Sequence, residues 1–176
     1  MKTAAVVPAA GASTRFGSPK QLARLGGETL LERAVRTARE AGCLPVVVVL
    51  GASAARIRAE CALGDAHVVV NDDWATGMGG SIACGVRVLH DVDGCVVMTC
   101  DMPSVTSAHL RLLMASGGLT ASAYAGRRGV PAYFPAAMFD ELLKLHGDAG
   151  ARELLRRARS VELPGGELDI DTPEDL

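Results

Sequence analysis

A chain of 176 residues, 49% hydrophobic and 22% charged, has the length of one domain able to bury roughly 70% of its unfolded surface, and its composition excludes disorder. Eighteen basic against twenty acidic side chains leave a formal charge of −2, so no global field draws in nucleic acid or an anionic membrane, and any anion site must be local. No apolar run approaches the roughly 18 residues of a membrane span, and Cys43, Cys61, Cys84, Cys95 and Cys100 contain no C-x-x-C pair, which points to free thiols in a reducing cytoplasm.

Met1-Lys2-Thr3 could open a signal segment, but the apolar stretch that follows contains Pro8 and gives way at once to Gly11-Ala12-Ser13-Thr14-Arg15, so residues 4–7 read as a core strand. Residues 28–41 place Leu30, Leu31, Ala34, Val35 and Ala38 at helical spacing, with Gly42 as a stop. Apolar runs at 46–50 and 95–100, and a weaker one at 67–70, predict further strands of a sheet covered on both faces. Helical patterns fall at 54–62, 80–89, 107–115, 136–145 and 149–158. Residues 121–124 and 130–134, joined by Gly126-Arg127-Arg128-Gly129, predict a hairpin or two short strands lining a site. Alternating strands and helices with short connections imply an α/β protein: a three-layer α/β/α sandwich around a Rossmann-like, mostly parallel sheet. No linker or repeat interrupts residues 1–176, which read as one domain. His67, His90, His109 and His146 are scattered and form no zinc-binding spacing.

The densest chemical signal is Ala9-Ala10-Gly11-Ala12-Ser13-Thr14-Arg15-Phe16-Gly17-Ser18-Pro19-Lys20-Gln21, at the carboxyl end of the first strand, where open α/β sheets bind ligands. Small residues let backbone approach a phosphate chain, loop N–H groups can point at its oxygens, and Arg15 and Lys20 add charge-assisted hydrogen bonds. The spacing fits neither the G-x-x-x-x-G-K-S/T nor the G-x-G-x-x-G fingerprint. An ordinary loop with two solvated cations is the alternative.

Taken with Asn71-Asp72-Asp73-Trp74-Ala75-Thr76-Gly77-Met78-Gly79-Gly80-Ser81-Ile82, Cys100-Asp101-Met102-Pro103, Gly126 to Pro131, Gly147 to Arg152 and Asp169-Ile170-Asp171-Thr172-Pro173-Glu174-Asp175-Leu176, this loop resembles the MobA-like NTP transferases. Within them it is most similar to the molybdenum cofactor cytidylyltransferases. The resemblance covers nearly the whole chain and implies a fold of the nucleotide-diphospho-sugar transferase type. It further implies transfer of CMP from CTP to the terminal phosphate of a small acceptor, most often molybdopterin carrying molybdenum, with loss of pyrophosphate. Arg15, Lys20 and Asp101 would be catalytic. Ala9, Ala10, Gly11, Ser13, Arg15, Lys20, Gly79 and Ser81 would hold the nucleotide, and Arg127, Arg128, Asp148 and Arg152 the acceptor. Magnesium, a hard cation that keeps one or two carboxylates and substrate phosphates, would sit on Asp101 with Asp169 or Asp171.

Each role has a structural alternative. Asp101 could cap the helix near Ser107, although six residues separate them. Leu168 to Asp171 reads as a strand with both aspartates on one face and Ile170 inward, and Thr172-Pro173 as a helix start. Trp74 and Met78 can pack rather than stack on a base, and loop arginines are often merely solvated. Ala9-Ala10-Gly11 resembles the cytidylyltransferase form of the loop, whereas guanylyltransferases carry a Gly-Gly pair there. GTP, sugar-phosphate acceptors and a catalytically silent nucleotide- or cofactor-binding chaperone are the competing readings. The partners expected are an NTP and a phosphorylated small molecule, with transient contact to a molybdoenzyme or its chaperone. The last motif closes at Leu176, so a terminal helix of longer relatives is expected to be missing.

Overall fold

The computed structural model describes residues 1–176. In chain order its elements are β1 Thr3–Pro8, β2 Arg24–Leu25, β3 Glu28–Thr29, α1 Leu30–Glu40, β4 Val46–Leu50, α2 Ala54–Glu60, β5 His67–Val70, α3 Met78–Arg87 and β6 Gly94–Val97. Then follow α4 Ser107–Met114, β7 Thr120–Tyr124, β8 Arg127–Pro135, α5 Phe139–Leu143, α6 Arg152–Leu155 and β9 Arg159–Glu162. Seven strands form one sheet in the order β5-β4-β1-β6-β8-β7-β9. It is parallel from β5 to β6 and between β7 and β9, and antiparallel where β8 meets β6 and β7.

The apolar runs explain the layers. Successive side chains of β1 point to opposite faces, so Ala5 and Val7 join one core with α1 and α4 residues, while Ala4 and Val6 join another with Ile82, Val86 and Leu155. All four are fully buried, and removing a valine from water contributes about 1.5–3 kcal/mol. Helices thus cover both faces of a mostly parallel sheet, as the sequence implies. No helix is long and apolar enough to cross a membrane.

Several boundaries differ from expectation. α1 starts at Leu30 because Glu28 and Thr29 pair with Arg24 and Leu25. Thr29 then caps the helix: its Oγ1 accepts the Glu32 N–H at 3.0 Å, and the Glu32 carboxylate accepts the Thr29 N–H at 2.8 Å. β6 stops at Val97, opposite Ala132, because the next residue of β8 is Pro131, which has no N–H to offer the ladder. The expected helix at 149–158 shortens to α6, since the chain must turn back to lay β9, a strand the sequence did not signal, beside β7. The residues 136–145 likewise divide into a 3-10 turn and α5. Arg127 and Arg128 belong to β8 rather than to a loop, because Ala125 and Gly126, at φ 51° and 72°, suffice to reverse the chain.

Candidate active site

The carboxyl ends of β1 and β6 open into a cavity of about 540 Å³. The loop after β1 forms one wall. Ala9 N–H donates to the Val49 carbonyl at 2.8 Å, and the Ala10 carbonyl accepts the Ala52 N–H at 2.9 Å, so the loop is anchored on β4 and the turn beyond it. Ser13 sits at φ 56°, and its carbonyl accepts the N–H groups of Phe16 and Gly17. The Ser13 hydroxyl accepts the Lys20 N–H at 3.1 Å. The six successive N–H groups from Ala10 to Arg15 have no acceptor within the protein. Such a run of unpaired backbone donors beside a cavity is suited to oxyanions.

Lys20 Nζ donates to Asp101 Oδ2 at 2.9 Å, both side chains being about one-fifth exposed (22% and 21%). Asp101 Oδ1 accepts the Thr99 hydroxyl at 2.8 Å. Burial works to lower the Lys20 pKa, but the charge and hydrogen bond of Asp101 outweigh it and hold the ammonium above its usual range. Asp101 does not cap α4; Thr106 does, accepting the His109 N–H at 3.1 Å. The Asp101 carbonyl instead accepts the Ile170 N–H at 2.8 Å and docks the final segment on the site.

Residues 168–171 form no strand, because they pair with no neighbouring strand, but Ile170 is buried between the more exposed Asp169 and Asp171, as the alternation implies. Asp171 lines the cavity and pairs with the exposed Arg15 at 2.8 Å. Asp169 does not line it, yet burial and then the Asp101 charge push its carboxyl upward. Thr172 opens the closing 3-10 turn, with the Asp175 carboxylate accepting its N–H. No three acidic, histidine or cysteine side chains converge tightly enough to hold a metal alone. Two cavity carboxylates that each hold a cationic side chain, with a third pushed upward by burial and then by the Asp101 charge, fit a hard divalent ion that completes its shell with water and phosphate. Cys100 also lines the cavity, but burial pushes its thiol up to about 12, so it is not a ready nucleophile.

Opposite the loop, Ser81 is buried in the first turns of α3, and its hydroxyl accepts from Asn71 Nδ2 at 3.0 Å. Ala9, Ala10, Gly11, Ser13, Arg15, Lys20 and Ser81 all line the cavity. Gly79 does not. A Cβ there would lie 2.7 Å from the His146 nitrogen, and its own N–H donates to the Gly147 carbonyl at 2.9 Å, so it serves close packing. Trp74 lines the cavity and also packs against Gly51, and Met78 lies on the cavity wall. Of the residues expected to meet an acceptor, only Asp148 reaches the lining. Arg127 stacks over Tyr124 at 5.3 Å, Arg128 reaches the Arg156 carbonyl at 3.4 Å, and Arg152 opens α6 in solvent. Gln21, Thr99 and Asn71 were not singled out from sequence. Their partners lie 2 to 12 residues away, and only the folded turn brings them together.

The comparisons agree with this geometry. The family model of the MobA-like NTP transferase domain matches residues 5–162. The chain is 36% identical over 164 residues to nicotine blue oxidoreductase of Paenarthrobacter nicotinovorans, covering 86% of this chain and 80% of that protein. It is 31% identical over 185 residues to the purine catabolism protein PucB of Bacillus subtilis, covering 95% and 90%. Among solved structures, Rv0371c of Mycobacterium tuberculosis superposes with a TM-score of 0.87 at 33% identity, over 99% of this chain and 96% of that one. A structure of Rv0371c complexed with manganese superposes with a TM-score of 0.80 at 32% identity and the same coverage. With residues 5–162 matched, a span that holds the loop after β1 and Asp101, this chain belongs to the MobA-like NTP transferase family.

Proposed function

We propose that this protein transfers CMP from CTP to the phosphate of a small acceptor, molybdopterin carrying molybdenum, and releases pyrophosphate. The observation that carries the reading is the row of unpaired N–H groups from Ala10 to Arg15, in a loop whose residues, all but Ala12, line the same cavity as Lys20 and Asp101. The triphosphate would lie along that row, with Arg15 and Lys20 moving from their carboxylates onto its oxygens. The acceptor phosphate is ionised near neutral pH, so its oxygen attacks the α-phosphorus without a general base, forming the new P–O bond as the bond to pyrophosphate breaks. Positioning and charge stabilisation then supply the rate. Asp101, with Asp169 or Asp171, would hold magnesium, whose charge when bound offsets that of the triphosphate and the departing pyrophosphate; the manganese complex of Rv0371c supports a divalent ion here.

Ala9-Ala10-Gly11 supports CTP over GTP by resemblance, and Asp148 is the acceptor-side group best placed. Arg127, Arg128 and Arg152 would have to leave their present positions to meet an acceptor phosphate. A cytoplasmic setting and handover to a molybdoenzyme or its chaperone accord with this chemistry. The test is thermal stabilisation by CTP, GTP, ATP and UTP with and without magnesium, followed by pyrophosphate release with the molybdenum cofactor as acceptor. A magnesium-dependent preference for CTP with turnover is expected. Preference for another NTP would remove the cytidylyl assignment, and CTP binding without turnover on any phosphate acceptor would favour a silent nucleotide-binding chaperone.

A further inference from the structure

Gln21 follows Lys20 in the 3-10 turn Lys20–Leu22, and its side chain is buried against the loop after β1 at the edge of the cavity. Its Nε2 donates to the Ala9 carbonyl at 2.8 Å and to the Gly11 carbonyl at 3.3 Å, while its Oε1 accepts the Ser13 hydroxyl at 3.3 Å. Chemistry fixes the amide orientation, since two carbonyls can be met only by the NH₂ end. With the Ala52 N–H on the Ala10 carbonyl, three successive carbonyls of the loop are held by donors. In a trans peptide the C=O and the following N–H point opposite ways. Fixing the carbonyls of Ala9, Ala10 and Gly11 therefore aims the N–H groups of Ala10, Gly11 and Ala12 away from their anchors.

We propose that Gln21, which itself lines the cavity, is a positioning residue whose amide, by holding the Ala9 and Gly11 carbonyls, orients the N–H groups of Ala10 and Ala12 and so shapes the loop as a cradle for polyphosphate. The assignment rests on the nucleotide-binding reading of the cavity, but concerns its triphosphate half alone. A glutamate at this position would set a carboxylate against two carbonyls. A methionine would match the shape and offer no donor.

The test compares the full-length wild type with Q21M and Q21E by calorimetric titration of inorganic tripolyphosphate and of CTP, each with magnesium, from about pH 8 to about pH 5.5, with melting of the ligand-free proteins alongside. Both variants should bind tripolyphosphate and CTP about tenfold or more weakly at the upper pH. Q21E should recover relative to Q21M as pH falls, because a protonated carboxyl regains one donor. Tripolyphosphate affinity in Q21M within about twofold of wild type would overturn the proposal, as would Q21E following Q21M at every pH. An unfolded Q21M would assign Gln21 to fold integrity and overturn it equally. Wild type that binds tripolyphosphate but no NTP would sink nucleotidyl transfer while leaving the cradle standing, and wild type that binds neither would sink both.

Discussion

Replacing Asp101 by asparagine keeps the side chain's shape and an acceptor for the Thr99 hydroxyl, and removes the charge that faces Lys20 at 2.9 Å. A charge-assisted hydrogen bond contributes about 1.5–3 kcal/mol. Both partners are about one-fifth exposed (22% and 21%), so solvent screening reduces this to about 1–2 kcal/mol. For a chain of 176 residues that lowers Tm by about 2–8 °C. The pH dependence has a definite sign. Lys20 is held above its ordinary pKa of 10.5, so the stability it gains is fully present below 10.5 and is lost as pH rises through its raised value; the melting curves of wild type and Asp101→Asn should converge there. In turnover the loss should be larger, about 10²–10³-fold, the magnitude of removing one group that stabilises charge in a transition state. Pyrophosphate release from CTP with magnesium and the molybdenum cofactor measures it. Wild-type turnover in Asp101→Asn would refute the metal and catalytic assignment. An unchanged Tm at neutral pH would refute the ion-pair energetics.

Glu32→Gln should cost about 0.5–1 kcal/mol at neutral pH, because one amide oxygen can accept the Thr29 or the Ala62 N–H but not both, and the negative charge at the start of α1 is lost. The Thr29 N–H, then the Ala62 N–H, hold the Glu32 carboxyl below its usual 4.5, so the difference in melting between wild type and variant should persist above that value and vanish as pH falls through the depressed one. Asp169→Asn should raise the neutral-pH stability of the ligand-free protein slightly, by about a few tenths of a kcal/mol because solvent reaches the group, and its Tm with it. Burial and then Asp101 raise the Asp169 pKa from 3.8, so the gain should shrink as acid neutralises the native aspartate. If Asp169 assists the metal, the same variant should also show less stabilisation by magnesium or manganese, which thermal melting reads directly.

The sheet was legible because its strands are written as unbroken apolar runs, and the cavity-lining loop after β1 because its small residues, Arg15 and Lys20 stand close together in one stretch. What escaped depends on distant partners. β6 ends at Val97 because of Pro131 on a neighbouring strand. β9 carries polar residues at three of its four positions and becomes a strand only beside β7, where tertiary pairing overrides local preference. Gly79 carries no local sign that His146 and Gly147 press against it. The arginines of the Gly126 to Pro131 motif looked free because a loop was expected, whereas a two-residue turn draws both into β8. Gln21 stood in the quoted motif, but its burial under Ala9 and Gly11 cannot be read from its place beside Lys20.

The close fit of Gly77 and Gly79 against the backbone of His146 and Gly147 and the Asp148 carboxylate, with the Gly79 N–H donating to the Gly147 carbonyl, joins two walls of the cavity mechanically. The start of α3, where the base is expected, cannot shift without carrying the stretch that bears Asp148. On the proposed reading, choice of nucleotide and choice of acceptor would therefore not be independent traits in this fold. A substitution in 146–148 that alters acceptor affinity should alter nucleotide affinity wherever the two equilibria are coupled, and linkage requires the effect to be reciprocal. A lineage that changes its acceptor through this segment would have to retune its nucleotide side with it.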